Sequence, residues 1–349
     1  MGVRIGIMGY GKSGRFLHAS IAAAAGLEIR AVATSRANEV AADFPQAAVE
    51  ASPEALCGRG DVDMVVVATP DNMHAAHARL ALEAGKHVVV EKPFTETSAE
   101  ARNLIALARA RGRMLSVYQN RRWDSDFLTL RKLIGAGALG EVMHYAARWD
   151  RYRPAARADW HDADMRGELY GLGPHLVDQA LVLFGTPDWL VADVYNQRGV
   201  ARDSDGFEIL MGKGRTRISL GVNFLAADNY KGFRVLGAKA GFFKQGLDPQ
   251  EPQLSAGMGA SDAGFGVESE ADWGRLTDGA SGAQRVVPSE RGDWQAYYRG
   301  VAAAIESGAP APVSAEDGAR VIALLEAAID SSESGRRIDV PDFLAARGL

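Results

Sequence analysis

The segment Gly9-Tyr10-Gly11-Lys12-Ser13-Gly14 constrains the fold more than any other stretch, because it follows the apolar run Val3–Met8 directly and opens a helical pattern at Phe16–Ala25. A glycine loop between a strand and a helix is an anion cradle. The first glycine allows the tight turn, the second lets backbone approach a pyrophosphate, and the third lets the helix lie close on the strand with its amides facing the anion. The same letters also satisfy the nucleoside-triphosphate loop, Gly-x-x-x-x-Gly-Lys-Ser, counted from Gly6. That reading leaves only Val3-Arg4-Ile5 as the preceding strand. It also lacks an acid directly after Met64–Ala68, where Thr69-Pro70 stand before Asp71. Strand and helix context therefore favour a dinucleotide.

The rest of the N-terminal third repeats the same alternation. Strands are expected at Val3–Met8, Glu28–Ala33, Met64–Ala68, His87–Val90 and Met114–Val117, with helices at Phe16–Ala25, Met73–Ala84 and Ala99–Arg111. The unbroken valine runs suit parallel strands buried on both faces. After Asn120 the rhythm changes to a helix at Phe127–Ile134 and then strands at Glu141–Trp149, Trp189–Val194, Phe207–Met211, Arg217–Phe224 and Phe233–Phe243. One helix, Pro174–Leu183, interrupts them. Asp248–Gly282 reads as long loops, and helices return at Trp294–Glu306 and Ala315–Ser332. The expected class is α/β. Residues 1–120 form a Rossmann domain with a doubly wound parallel sheet, and residues 121–349 form an α+β domain with a large, mostly antiparallel open sheet. One apolar face of that sheet is expected to be covered by another subunit, giving a homodimer or homotetramer.

Composition narrows the partners. With 39 Lys plus Arg against 44 Asp plus Glu, the net charge of −5 argues against a nucleic-acid partner. No apolar run approaches the roughly 20 residues of a membrane span, and the N-terminus lacks a signal-peptide layout, so a cytoplasmic protein with no membrane partner is expected. The single cysteine, Cys57, cannot form an internal disulfide and reads as a small residue at the end of a short helix. His74 and His77 lack a local carboxylate to complete a metal site, read as helix surface, and no metal is expected.

A dinucleotide site that prefers NAD has an acid about 20 residues past the glycines. Here the matching stretch is Ala31-Val-Ala-Thr-Ser-Arg36. Ser35 and Arg36 suit a 2′-phosphate, so NADP is expected ahead of NAD, with a solvated loop arginine as the alternative. Lys92 follows the strand His87–Val90, at the carboxyl edge where ligands of such sheets lie. Pro93 holds it extended, and the Lys92–Pro93 bond could be cis. A lysine there can orient a nicotinamide and stabilise a developing alkoxide, or be a salt-bridged loop lysine. Pro174 and the following apolar pattern put His175 at a helix N-terminus, which favours a neutral imidazole, with Asp178 on the same helical face. Arg121, Arg122 and Trp123 follow the last strand of the first domain and are candidates to line a cleft. Arg151, Tyr152 and Arg153 bond sugar hydroxyls or form a solvated strand edge.

Several segments together resemble the glucose-fructose oxidoreductase/inositol dehydrogenase (Gfo/Idh/MocA) family. They are the glycine loop, Ala68-Thr-Pro-Asp-Asn-Met-His74, Val90-Glu-Lys-Pro93, Tyr118-Gln-Asn-Arg-Arg-Trp-Asp-Ser-Asp126 and Tyr170-Gly-Leu-Gly-Pro-His-Leu-Val-Asp178. Asp150-Arg-Tyr-Arg-Pro154 and Lys244-Gln-Gly-Leu-Asp-Pro-Gln-Glu251 look like a branch containing NADP-linked scyllo-inositol dehydrogenases. The resemblance implies hydride transfer between NADP(H) and a secondary alcohol of a cyclic polyol or sugar. It implies Lys92 and His175 as catalytic residues, His175 being the general acid/base. It also implies Thr69, Pro70, Asn72, His74, Glu91, Gln119 and Asn120 at the cofactor, and Arg122, Trp123, Arg151, Tyr152, Tyr170 and Asp178 at the substrate. Family members commonly carry an aspartate four residues before the histidine, and this chain has Gly171. Tyr170, or Asp178 through a water, compensates; or turnover is slow; or the chain is an NADP- and sugar-binding sensor.

Overall fold

The computed structural model of the chain describes residues 2–155, 167–199 and 204–349. The first sheet comprises β1 (Arg4–Met8), β2 (Glu28–Ala33), β3 (Ala48–Glu50), β4 (Met64–Val67), β5 (His87–Val90) and β6 (Leu115–Val117). All pair in parallel, in the order β3-β2-β1-β4-β5-β6. This is a doubly wound sheet whose strand order reverses between β1 and β4. Met64–Val67 and Val88–Val90 are wholly buried, as continuous apolar runs require.

A π-helical turn over Ser13–Ala19 leads into α1 (Ser20–Ala24), followed by α2 (Ala37–Asp43), α3 (Pro53–Cys57), α4 (His74–Glu83) and α5 (Ser98–Arg111). Helix α5 shows why its ends fall where they do. Thr97 and Glu100 close a reciprocal capping box, and Gly112 ends the helix in the left-handed conformation. Ser52 and Pro53 start α3 in the same spirit, and Cys57 is buried at its end. The short helix expected to end at Cys57 is α3, whereas the periodicity missed β3 and α2, because β3 is a three-residue edge strand with Val49 exposed and α2 is only seven residues long.

The larger sheet holds β7 (Val142–Trp149), β8 (Trp189–Tyr195), β9 (Gly206–Lys213), β10 (Thr216–Asn223), β11 (Lys231–Gly237), β12 (Ala240–Gln245), β13 (Gly274–Asp278), β14 (Gln284–Val287) and β15 (Ile338–Asp339). Its order is β14-β13-β12-β11-β7-β10-β9-β8-β15, antiparallel except for the β7–β10 pair. The remaining helices are α6 (Ser125–Gly135), α7 (Gly167–Phe184), α8 (Gln250–Ser255), α9 (Gln295–Ser307), α10 (Ala315–Ser334) and α11 (Val340–Ala346). Two compact units result. One is Met1–Trp123 with Gln250–Phe265 and Asp293–Ile322; the other is Asp124–Pro249 with Gly266–Gly292 and Ala323–Leu349.

Four expectations need correction. Phe233–Phe243 is a hairpin rather than one strand, since β11 turns at Ala238 and Lys239 and the alternation continues unchanged on both sides. Asp248–Gly282 is not all loop: it contains α8 and β13, where buried Leu276 pairs with Phe242 beneath a Gly/Ser-rich composition. Helix α7 begins at Gly167, not Pro174. Ser204 satisfies its first amides (Glu168 N to Ser204 O, 2.8 Å; Leu169 N to Ser204 Oγ, 3.1 Å), and the buried row Leu169, Leu172, Leu176 and Val177 outweighs the glycines and proline. The open face of the large sheet is mixed rather than apolar. Register puts Glu208, Arg148, Arg217 and Arg234 beside Leu210, Leu236 and Phe243. Arg148 spans to Asp150 and Glu208 across Gly221, where any Cβ would strike its guanidinium.

Beneath the start of α6 the second unit buries an ionic cluster. Lys244 pairs with Glu268 at 2.7 Å, both fully enclosed, and Asp248 accepts the Ser125 amide at 2.7 Å. Burial, then the Asp248 charge, push the neighbouring Asp126 carboxyl well above the usual carboxylate range, against the pull of Lys244. A carboxyl whose folded pKa is raised favours the fold fully below its unfolded value, and that contribution is lost as pH rises through the folded one. Asp126→Asn should therefore gain on the wild type by about 1–3 kcal/mol in urea melts as pH goes from about 5 to about 8. A pH-independent difference would remove the buried charge from the account.

Candidate functional site

The glycine loop sits at the carboxyl end of β1, and its three glycines do different work. Gly9 has φ +90°, and a Cβ there would run into the Ala68 carbonyl. At Gly14 a Cβ would strike the Gly9 carbonyl, so the helix can approach only without one. At Gly11 a Cβ meets nothing within 4 Å, so this position has an open approach to backbone. Gly6 lies inside β1, paired with Ala31 and Val65. A triphosphate loop beginning at Gly6 does not exist, and that reading falls.

Glu91, at the end of β5, fastens this loop from below. Its carboxylate accepts from Ser13 Oγ, from His18 Nε2 at 3.0 Å and from the Lys92 amide at 2.8 Å. Burial pushes its carboxyl up, but the His18 hydrogen bond and charge, with Lys92 and Ser13, hold it at about 2. His18 Nδ1 lies 2.6 Å from Tyr298 Oη on its other side. Lys92 thus stands at the carboxyl edge of the sheet, its backbone fixed, and the Lys92–Pro93 peptide is cis.

His74 is fully buried, which corrects its reading as helix surface. Its ring spans the Pro93 carbonyl (2.7 Å) and the Thr69 carbonyl (2.9 Å), joining the loops after β4 and β5, while His77 Nδ1 lies 3.0 Å from Thr69 Oγ1. Pro70 and Asn72 are exposed on the same loop. Among the described residues no group of acids, histidines and cysteines could hold a metal ion.

Ser35 and Arg36 are exposed directly after β2. Arg36 Nη1 reaches Glu39 at 3.3 Å, and Arg15 on the first helical turn pairs with Asp43 at 2.6 Å and Glu39 at 3.5 Å. The acids here are thus already engaged by two guanidiniums. Tyr10 turns its hydroxyl onto Asp43 at 2.9 Å, so it serves the loop through its backbone; burial raises its pKa. Lys12 pairs with Glu251, 2.8 Å away. Arg15 and His18 escaped sequence reasoning, because helical arginines and histidines are common; Glu251 stood in a noted motif, but its contact with Lys12 did not show, because the two are remote in sequence.

At the end of β6, Gln119 and Asn120 are buried, and Gln119 Oε1 accepts no hydrogen bond from the described residues. Arg122 meets Asp317 at 3.3 Å, and Trp123 stacks edge-on against Tyr297.

In the second unit His175 lies about two turns inside α7, so the helix-end argument for a neutral ring does not apply. Its ring packs on Trp149, with centroids 5.4 Å apart. Asp178, one turn on, and Tyr170 are buried on the same helix. Glu168 Oε2 lies 3.2 Å from where a Cβ on Gly171 would stand. Arg151 and Arg153 flank the Phe224 ring, and Tyr152 is exposed.

Two family models cover the chain: an oxidoreductase family NAD-binding Rossmann fold over residues 3–119 and the corresponding C-terminal alpha/beta domain over residues 131–340. The chain belongs to the Gfo/Idh/MocA oxidoreductase family. It is 38% identical to scyllo-inositol 2-dehydrogenase (NADP(+)) IolW of Bacillus subtilis, over 96% of this chain and 95% of that protein. It is 37% identical to the uncharacterized oxidoreductase YdgJ of Escherichia coli, over 95% and 96%. The solved structure of the oxidoreductase yvaA from Bacillus subtilis superposes with a TM-score of 0.93 at 38% identity, covering 97% of this chain and 98% of that one. As in the family, the first sheet is an NAD-binding Rossmann fold and the chain is an oxidoreductase. Among the described residues no helix is long and apolar enough to cross a membrane.

The two kinds of glycine separate experimentally. Gly11→Ala should melt like the wild type yet weaken dinucleotide binding about tenfold or more, whereas Gly14→Ala should lose about 1–3 kcal/mol of stability. Equal stability losses at both positions, read by thermal melts, would contradict this division.

Proposed function

We propose that the chain is an NADP(H)-dependent dehydrogenase that interconverts a secondary alcohol and a ketone on a cyclic polyol or sugar of the inositol class. The observation that carries this reading is the Glu91 carboxylate, which bonds Ser13 of the glycine loop and the Lys92 amide together at the carboxyl edge of one sheet. The residues suit the cofactor. Gly11 has an open approach, Gln119 Oε1 is a buried acceptor, and Ser35 with Arg36 matches a 2′-phosphate. Amides of residues 11–14 hold the pyrophosphate. The name of the Bacillus subtilis relative supports NADP and an inositol.

A bound nicotinamide would supply the hydride chemistry, and the residues of this chain would bind, orient and move the proton. Lys92 donates to the substrate oxygen as negative charge develops on it. His175 takes the hydroxyl proton, and Asp178, three residues on along α7, orients its ring. Arg122, Trp123, Arg151, Tyr152 and Tyr170 are assigned to substrate hydroxyls. Glu91 and His74 act as positioning groups for Ser13, Lys92 and the neighbouring loops.

The sensor alternative rests on Gly171. A carboxylate is nonetheless present beside this position, Glu168 Oε2 lying 3.2 Å from where a Cβ at 171 would stand. Turnover is therefore the preferred reading.

Wild-type protein given NADP and scyllo-inositol should reduce the cofactor, followed by its near-ultraviolet absorbance. Lys92→Ala should lose about 10²–10⁴-fold in kcat while its NADPH affinity stays within a few fold. Tight NADPH binding with no turnover on any inositol or aldose would favour the sensor instead. In fluorescence titrations NADPH should bind better than NADH, and Arg36→Ala should weaken NADPH alone by about tenfold. The same reading includes a second copy over the sheet face bearing Leu210, Leu236 and Phe243. A single-chain mass by light scattering at micromolar concentration would remove that part.

A further inference from the structure

The segment 244–251 is singled out by sequence but has no role in the chemistry above. Its polar residues are engaged one after another. In the second unit Lys244 pairs with Glu268, and Asp248 accepts the Ser125 amide. In the first unit Gln250 is fully buried, donating to the Trp123 carbonyl at 3.3 Å and accepting from the Trp294 amide at 2.9 Å. The start of α8 is thereby fixed, and its next residue, Glu251, extends to the glycine loop. One carboxylate oxygen meets Lys12 Nζ at 2.8 Å and the other meets Arg121 Nη2 at 2.8 Å. Arg121 is nine-tenths buried, with its guanidinium carbon 5.9 Å from the Trp294 ring centroid, so this end of the bridge is rigid.

Lys12 follows Gly11, the loop position with the open approach, and precedes Ser13, which Glu91 holds. The bridge therefore lies beside Gly11, the loop glycine at which a Cβ would meet nothing. We infer that Glu251 is a retaining clasp for the dinucleotide: by linking Lys12 to Arg121 it closes α8 over the glycine loop and slows cofactor release. Two cations against one carboxylate leave a net positive charge facing the diphosphate, so the clasp does not repel what it holds. The Arg121–Glu251 half is the part-buried one, whereas the Lys12 end is exposed, so the anchoring comes from Arg121 and the Lys12 contact is the half that can open. The Lys92 and His175 chemistry does not need it. Its effect falls on affinity and on the rate of release.

This inference rests on dinucleotide binding, and the test separates the two. NADPH dissociation is followed by stopped-flow fluorescence for wild type, Glu251→Gln, Lys12→Met and the double variant, each with a thermal melt. Glu251→Gln should release NADPH about tenfold faster with association changed less than about threefold, and adding Lys12→Met should accelerate release no further. Unchanged release in a Glu251→Gln protein that melts normally overturns the clasp. So does slower release, which would mean that the carboxylate competes with phosphate for Lys12. Should Glu251→Gln fail to fold, Lys12→Met carries the test, because Lys12 is exposed; release as slow as wild type again overturns the clasp. A wild type that binds neither NADPH nor NADH removes the dinucleotide reading itself.

Discussion

The first unit depends on one buried anion. Removing a carboxylate from water costs several kcal/mol unless its lone pairs are met by donors, so Glu91 can exist where it does only with its partners in place. Those partners are Ser13 in the glycine loop, His18 on the first helix and the amide of Lys92. A charge with obligatory neighbours becomes a ruler. It fixes the glycine loop against the strand end that carries Lys92, and through His18 it reaches Tyr298 on α9. Tyr118 packs into the same aromatic cluster, against His18, Tyr297 and Tyr298.

Around that fixed point the loop divides its labour between backbone and side chains. Gly9 and Gly14 are demanded by sterics inside the protein, whereas at Gly11 a Cβ would meet nothing, so no contact within the chain requires glycine there. Tyr10, Arg15 and Asp43 lock the loop's flank to α2, and Arg36 shares Glu39 with Arg15. In the proposed function, the groups that would discriminate between dinucleotides lie beyond β2, and those that would grip any dinucleotide lie before α1. Changing one set need not disturb the other.

The second unit solves a different problem, that of holding polar groups inside an open sheet. Gly221 gives up its side chain so that Arg148 can lie across the strands to Asp150 and Glu208. Helix α7 buries His175, Asp178 and Gln179 together. Gly173 brings α7 within close reach of Leu325, since a Cβ there would stand 2.9 Å from its methyl.

Much of this was legible in the chain itself. Valine runs named β4 and β5, because strands buried on both faces must be apolar throughout, and the glycine spacing with its flanks named the anion cradle. Lys92 could be placed at the sheet's carboxyl edge from its position after a strand alone. Local pattern failed wherever distant partners overrode it. Ser204 and a buried leucine row extend α7 across glycines and a proline, and that moved His175 away from a helix end. Nothing near residue 251 in sequence points to Lys12. Periodicity reports which face of an element is buried. Which charge meets which is decided only when the chain closes on itself, since an ion pair depends on distance in space and leaves no period in the sequence.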